Sequence, residues 1–300
     1  SHWTVDSGGT TDSVGEDILL ASDSRAFIAG RWGDVPSLFR LDEDGSSIQG
    51  SVYLPLGYSS GALNAIAMQP DGKLLAAGWA LYGSAPFDAD LLVIRVDQNL
   101  QLDTSFGFNG KVTFNSSHLN YGEYGSDVAA LPDGRIVAGL TTVNTGVSAF
   151  ASLLALTSSG APSPAFDHNF PSAFLLDALG GMGTLGAQAS PSLAPLSDGT
   201  LLVGASVAPS GNELWRFRRL RPRIVSPQFL ETDPTFGNAG NSDVASFGLQ
   251  GLALEAGRTV AVGFYPDVTD DFAVVRLTAS LIFRDGFEST STFQWSAVTP

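Results

Sequence analysis

Apolar residues in this chain come in short runs, separated by Gly, Asp, Pro and Asn, and they never settle into a helical period. Runs such as LLVIRV (Leu91 to Val96) and FAVVRL (Phe272 to Leu277) are rich in β-branched residues and bounded by turn formers, which reads as strand. The turns themselves repeat. Asp71-Gly72-Lys73 opens LLAAG, Asp133-Gly134-Arg135 opens IVAG, and Asp198-Gly199-Thr200 opens LLVG. Two degenerate copies flank them: Asp23-Ser24-Arg25 before AFIAG and Ala256-Gly257-Arg258 before TVAVG. Asp-Gly between apolar runs predicts a hairpin, here expected as a type I′ turn with positive φ at both central residues.

The anchors recur at steps of 48, 62, 65 and 58 residues. A second block keeps the same period: LDTSFGFNGKV (Leu102 to Val112) matches TDPTFGNAGNSDV (Thr232 to Val244) at Asp103/Asp233, Phe106/Phe236, Gly107/Gly237 and Gly110/Gly240. Each period holds four strands, in the second copy near 61–69, 73–80, 90–97 and 110–115. One four-stranded antiparallel unit per repeat, five times over, predicts an all-β, five-bladed β-propeller in a single domain over residues 1–280 with a tail at 281–300. The fifth repeat has no Phe-Gly block after Leu277, so its outer strand has to come from elsewhere. The favoured donor is the N-terminal strand His2 to Asp6, closing the ring; the alternative is the C-terminal tail around Thr292 to Val298.

QPDGKLLAAGW (Gln69 to Trp79), followed by DADLLVIRVDQNLQLDTSFGFNGKV (Asp88 to Val112), resembles the "delta sixty" repeat of bacterial secreted proteins, which implies a propeller and brings no catalytic residues with it. LIFRDGFESTSTFQWS (Leu281 to Ser296) is similar to a short C-terminal signature, with a Phe-x-Asp-Gly-Phe-Glu core, found on exported gammaproteobacterial proteins. That resemblance implies export to the exterior or surface of a Gram-negative cell.

Composition narrows the chemistry. Among 300 residues there is no Cys, which excludes thiol catalysis and cysteine-ligated metal. Fifteen Lys and Arg stand against 30 Asp and Glu, a net charge of −15, which excludes a nucleic-acid binder. No apolar stretch is long enough for a membrane span. The chain starts Ser1-His2-Trp3 without Met, so a processed leader or a trimmed tag is expected upstream.

Candidate sites follow from aligning the five first strands on the hairpin. Asp17, Ala65, Asp127, Ser192 and Gln250 then share one position, six residues before the Asp. Because first strands line a propeller's channel, Asp17, Asp127, Ser192 and Gln250 are expected to form a polar ring at one mouth, suited to Ca²⁺ or a small polar molecule. The competing expectation is that they bond to neighbouring backbone. Asp42 and Asp44 resemble the start of a calcium loop, but Tyr53 stands where the bidentate Glu belongs, so a turn is the rival reading. Asp88 and Asp90 precede a third strand and are weak metal candidates or a solvated rim. Arg219, Arg221 and Arg223 lie on one face of a strand, either a cationic stripe for a partner or an internal salt-bridge set. Phe287 and Trp295 in the tail are the other candidate contact residues.

Gly57-Tyr58-Ser59-Ser60-Gly61 has the letters of a nucleophile elbow, but the three histidines (His2, His118 and His168) are scattered and no helix is expected after it. With no nucleophile–base pair, the expected function is an exported, non-catalytic binding module for a protein or glycan. The alternatives are a self-assembling structural subunit, built through the tail or blade edges, and a carboxylate-based hydrolase or lyase at the channel mouth. No cofactor beyond possible Ca²⁺ is expected.

Overall fold

A computed structural model describes residues 13–45, 47–54, 57, 59–82, 89–115, 121–144, 149–162, 173–175, 190–207, 214–222, 230–238, 241–244, 247–255, 258–264, 272–277 and 282–286. The described elements are all strands, in five antiparallel sheets. The first blade is β1 (Val14–Leu20), β2 (Ala26–Trp32), β3 (Val35–Leu41) and β4 (Ile48–Tyr53). The second is β5 (Ser60–Met68), β6 (Leu74–Leu81), β7 (Ala89–Val96) and β8 (Lys111–Phe114). The third is β9 (Tyr121–Ala130), β10 (Ile136–Asn144), β11 (Ala149–Leu156) and β12 (Ala173–Leu175). The fourth adds β13 (Ser192–Pro195), β14 (Leu201–Val207) and β15 (Leu214–Pro222), with its outer edge shared by β16 (Leu230–Thr232) and β17 (Asn241–Val244). The fifth is β18 (Phe247–Glu255), β19 (Arg258–Phe264), β20 (Phe272–Leu277) and β21 (Ile282–Gly286). This is a five-bladed propeller with the blades and strand order the repeats predict.

Two expectations change. The fifth blade takes its outer strand from Ile282–Gly286, which pairs with Phe272–Leu277 and belongs to neither expected donor; residues 292–298 lie outside the described residues. Residues 2–6, the favoured donor, lie outside the described residues, as do Phe287 and Trp295. The hairpins are also not type I′. Gln69 N–H bonds to the Lys73 carbonyl and Gly72 N–H to the Gln69 carbonyl, enclosing three residues, and positive φ falls on Gly72 (82°) and not on Asp71. That is a type I turn closed by a left-handed glycine. Arg135 and Thr200 close the third and fourth hairpins in the same way.

The core is divided among the junctions. Leu63, Ile66 and Leu74 of blade two pack on Phe27 and Leu38 of blade one. Leu75 and Phe106 pack on Val128 and Leu154 of blade three, and the pattern continues through blades four and five. The middle sheets therefore bury both faces, which is why their inner strands read as unbroken apolar runs instead of alternating ones. First strands of successive blades lie side by side: β1 against β5, β5 against β9, β9 against β13, and β13 against β18.

The Phe-Gly block has its own reason to repeat. In both copies an arginine of the third strand, Arg95 or Arg219, ion-pairs with the block's aspartate and lies over its phenylalanine ring. Hydrogen bonds from Lys73 and Ser105, with the charge of Arg95 beside it, hold Asp103 well below the usual carboxylate range. Arg95 also donates to the Ser158 carbonyl of blade three, and Arg40, at the same repeat position, to the Gln98 carbonyl of blade two. In blade two the block is thus a buried electrostatic anchor that also ties to blade three.

Candidate functional site

Most first strands carry a bulge at the same height. In β1, β5 and β9 one residue falls out of register with the second strand, Glu16, Asn64 and Ser126, and in β18 two do, Gly248 and Gln250. The residue after it turns toward the next blade. Asp17 accepts the Ile66 N–H of blade two at 2.9 Å. Asp127 accepts the Leu193 N–H of blade four at 2.6 Å and the Ser192 hydroxyl at 3.3 Å. Ser192 accepts the Leu252 N–H of blade five at 3.2 Å. Bulge residues add a second tie, since Asn64 donates to the Gly125 carbonyl at 2.7 Å and Ser126 to the Pro191 carbonyl at 2.8 Å. Three of the four ring residues are therefore clasps between adjacent blades.

Gln250 is not on that ring position. In the fifth hairpin Glu255 pairs with Arg258, leaving two residues between them, where Gln69 and Lys73 enclose three. The shorter turn slips the strand by one, so Gly251 takes the clasp position and Gln250 the exposed bulge. An ungapped alignment misplaces it for that reason.

Blade two has Ala65 at the clasp position, so it cannot hold the Val128 N–H. Asp127 takes that amide itself, at 2.7 Å, through its other oxygen. A carboxylate offers about four lone-pair directions, and these three donors occupy three of them. Burial drives the Asp127 carboxyl upward, Asp17's charge adds to it, and the amides and Ser192 offset them only partly, so its pKa stands at about 7. Burial raises Asp17 as well, against the pull of the Ile66 and Ile18 amides. The first strands thus hold two carboxyls within each other's electrostatic reach.

At the hairpin end of the first strands lies a cavity of about 750 Å³. Residues at the ends of four first strands, Met68, Ala130, Pro195 and Leu254, form apolar walls, and Gln69 and Asp198 are among its few polar groups. Ala130 lies three residues beyond Asp127 on one strand, roughly 10 Å at ordinary strand rise.

The other candidates separate. Asp42 accepts the Ser47 N–H and hydroxyl in the turn from β3 to β4, at 3.2 and 2.6 Å, which is the turn reading. Asp44 lies in that same turn. Asp90 accepts the Asn115 side-chain amide at 2.6 Å; Asp88 lies outside the described residues. Among the described residues no group of three or more His, Asp or Glu is placed to hold a metal ion. Arg219 pairs with Asp233 and Arg221 with Glu231, which gives the internal salt-bridge set; Arg223 lies outside the described residues. Gly57 to Gly61 leads into a strand, not a helix. No helix among the described residues is long and apolar enough to cross a membrane. Gln69 was invisible as a site because it sits inside the hairpin motif. The signal available was its contrast with apolar Ala21, Leu131 and Leu196 at the matching positions.

Residues 69–106 match the family model described as "Domain of unknown function (DUF5122) beta-propeller". No curated protein matches the chain. Among solved structures it is similar to a Trypanosoma rangeli sialidase in complex with the inhibitor DANA, at 10% identity and a TM-score of 0.52, covering 93% of this chain and 49% of that one. A glucose dehydrogenase aligns at 13% identity and a TM-score of 0.53, over 92% of this chain and 89% of that one. A Dyadobacter fermentans protein of unknown function aligns at 12% identity and 0.52, over 86% and 74%. The chain spans about half the length of the sialidase. These likenesses show the fold. They also overturn the expectation of a non-catalytic module, because this architecture is shared with enzymes, and a missing nucleophile–base pair therefore does not set the chain apart from catalysis.

Proposed function

We propose that the chain is an exported propeller enzyme that hydrolyses a glycosidic bond in its axial channel, with Asp127 as the general acid. The observation that carries the reading is the Asp127 carboxyl, raised to about 7 beside Asp17 in the channel. A carboxylic acid still protonated near neutral pH is what leaving-group protonation needs, and a second carboxyl, Asp17, stands within electrostatic reach of it. In the step proposed, the glycosidic C–O bond breaks, the leaving oxygen takes the Asp127 proton, and water adds to the anomeric carbon while its proton passes to solvent. The hairpin-mouth cavity is the entry for substrate. Two structural neighbours are by name a sialidase and a glucose dehydrogenase, which points the reading to a sugar. The acidic, cysteine-free composition and the tail signature support work outside the cell.

The test is hydrolysis of a panel of aryl glycosides across pH 4–9. Activity should fall as pH rises through about 7, and Asp127→Asn should lower kcat by on the order of 10²-fold with the fold intact. A folded protein that cleaves no glycoside in the panel overturns the reading.

A further inference from the structure

Four hairpins use the residue two before the Asp for the same main-chain task. Ala21, Gln69, Leu131 and Leu196 each donate their N–H to the carbonyl that closes the turn. Their side chains differ in one respect. The first, third and fourth are apolar, while the second is a glutamine that is only 5% exposed, with no hydrogen-bond partner for its side-chain oxygen. Nothing in the hairpin requires an amide there. A buried carbonyl left without a donor is destabilising, a cost the three apolar copies avoid.

Gln69 lies in the wall of the hairpin-mouth cavity. A turn about its terminal torsion, which is soft, offers the oxygen to whatever fills that space. The other polar groups there set the kind of molecule. Hydrogen bonds from Thr200 lower the pKa of Asp198, which is therefore an ionised acceptor. Arg219, the cation in the wall, is already bound to Asp233 and Thr235. Among the described residues the wall thus asks for donors and has no uncommitted cation to receive an anion, and the protein's net charge of −15 repels anions from a distance. Met68, Pro195 and Leu254 offer apolar surface for the C–H face of a ring.

We infer that this cavity is a recognition site for an uncharged or amino-bearing polyol ring, a neutral or amino monosaccharide or a cyclitol, held through hydroxyl or amino donation to Gln69 and Asp198. The inference deepens the enzyme reading by naming its substrate class, and rests on the channel being the place of work. It excludes an anionic sugar.

Calorimetric titration of the whole chain with D-glucose, D-glucosamine, myo-inositol and D-glucuronate tests it. At least one of the first three should bind and glucuronate should not. Gln69→Met should weaken binding about tenfold or more while leaving the unfolding midpoint unchanged or higher, because the orphaned carbonyl is gone. Pro132→Trp, which fills the cavity from the third hairpin, should abolish binding without touching Gln69. Unaltered affinity in Gln69→Met, or glucuronate bound as tightly as glucose, overturns the site. Asp127→Asn separates the two readings. Sugar bound by that variant and by the parent, with no glycoside cleaved by the parent, removes the acid–base reading and leaves the site standing. Cleavage by the parent with KM unmoved in Gln69→Met removes the site and leaves the chemistry.

Discussion

Blade one and blade three present nearly the same first strand to very different surroundings. Ile18 and Val128 occupy the same repeat position, as do Ile66 and Leu193, yet Val128, Ile66 and Leu193 are 4%, 7% and 6% exposed while Ile18 is 62%. Leu20 beside it is 72% exposed. At the other end Val262 of blade five is 42% exposed, where its counterpart Ala77 is fully covered. Burial here belongs to the neighbour rather than to the residue: a strand with a blade packed before it is core, and the same strand without one is surface. The clasps follow the same division. Three of the four interior junctions carry a side chain that grips the next blade's amide, while blade five has Gly251 at that place.

The contrast can be broken at several points, and the largest effect is expected in the core. Leu193→Ala should cost about 2–5 kcal/mol by denaturant unfolding, and Ile18→Ala under about 1 kcal/mol. Equal costs would show the first strand to be covered after all. Next comes the buried anchor. Arg95→Ala strips a partner from Asp103 and Phe106 and a donor from Ser158, and should cost about 3 kcal/mol. Arg219→Ala, whose side chain is more open, should cost roughly half that.

A smaller effect is titrational. Asp127's pKa is about 7 in the fold against an ordinary 3.8, so between those values the folded state binds more protons than the unfolded chain. Stability should therefore decline as pH rises from about 4 to 7, by at most about 1.4 kcal/mol per pH unit from this group. Asp17, also raised, acts in the same direction. Asp127→Asn should flatten the decline; an unchanged slope in urea melts at stepped pH would place its cause elsewhere. Smallest of all, Ala65→Ser gives blade two the clasp it lacks toward the Val128 amide and should add about 0.5–1 kcal/mol. No gain there would mean that Asp127 already satisfies that amide in full.

The blades were legible because their signals are local. Asp-Gly hairpins, an apolar third strand ending in Arg, and the Phe-Gly block each lie within a dozen residues, and each appears where expected. What failed depended on register or on pairing across blades. A hairpin shorter by one residue moved Gln250 off the ring, and no local motif marks Ile282–Gly286 as the strand that completes blade five. The ring residues were found as a set, but their role depends on the next blade's main chain, which no side-chain pattern records. Gln69 was concealed by its own motif, since a polar residue beside a turn attracts no notice until three apolar counterparts stand next to it.

The clasp has a consequence for how such a molecule comes to exist. Its gripping half is one side chain, and its gripped half is a main-chain amide that every repeat possesses whatever its sequence. A newly copied repeat is therefore accepted by its predecessor at once, with no matching substitution required. Gene duplication can lengthen or shorten the series one unit at a time, and the uneven spacing and drifted letters of these five copies are the record such a history would leave.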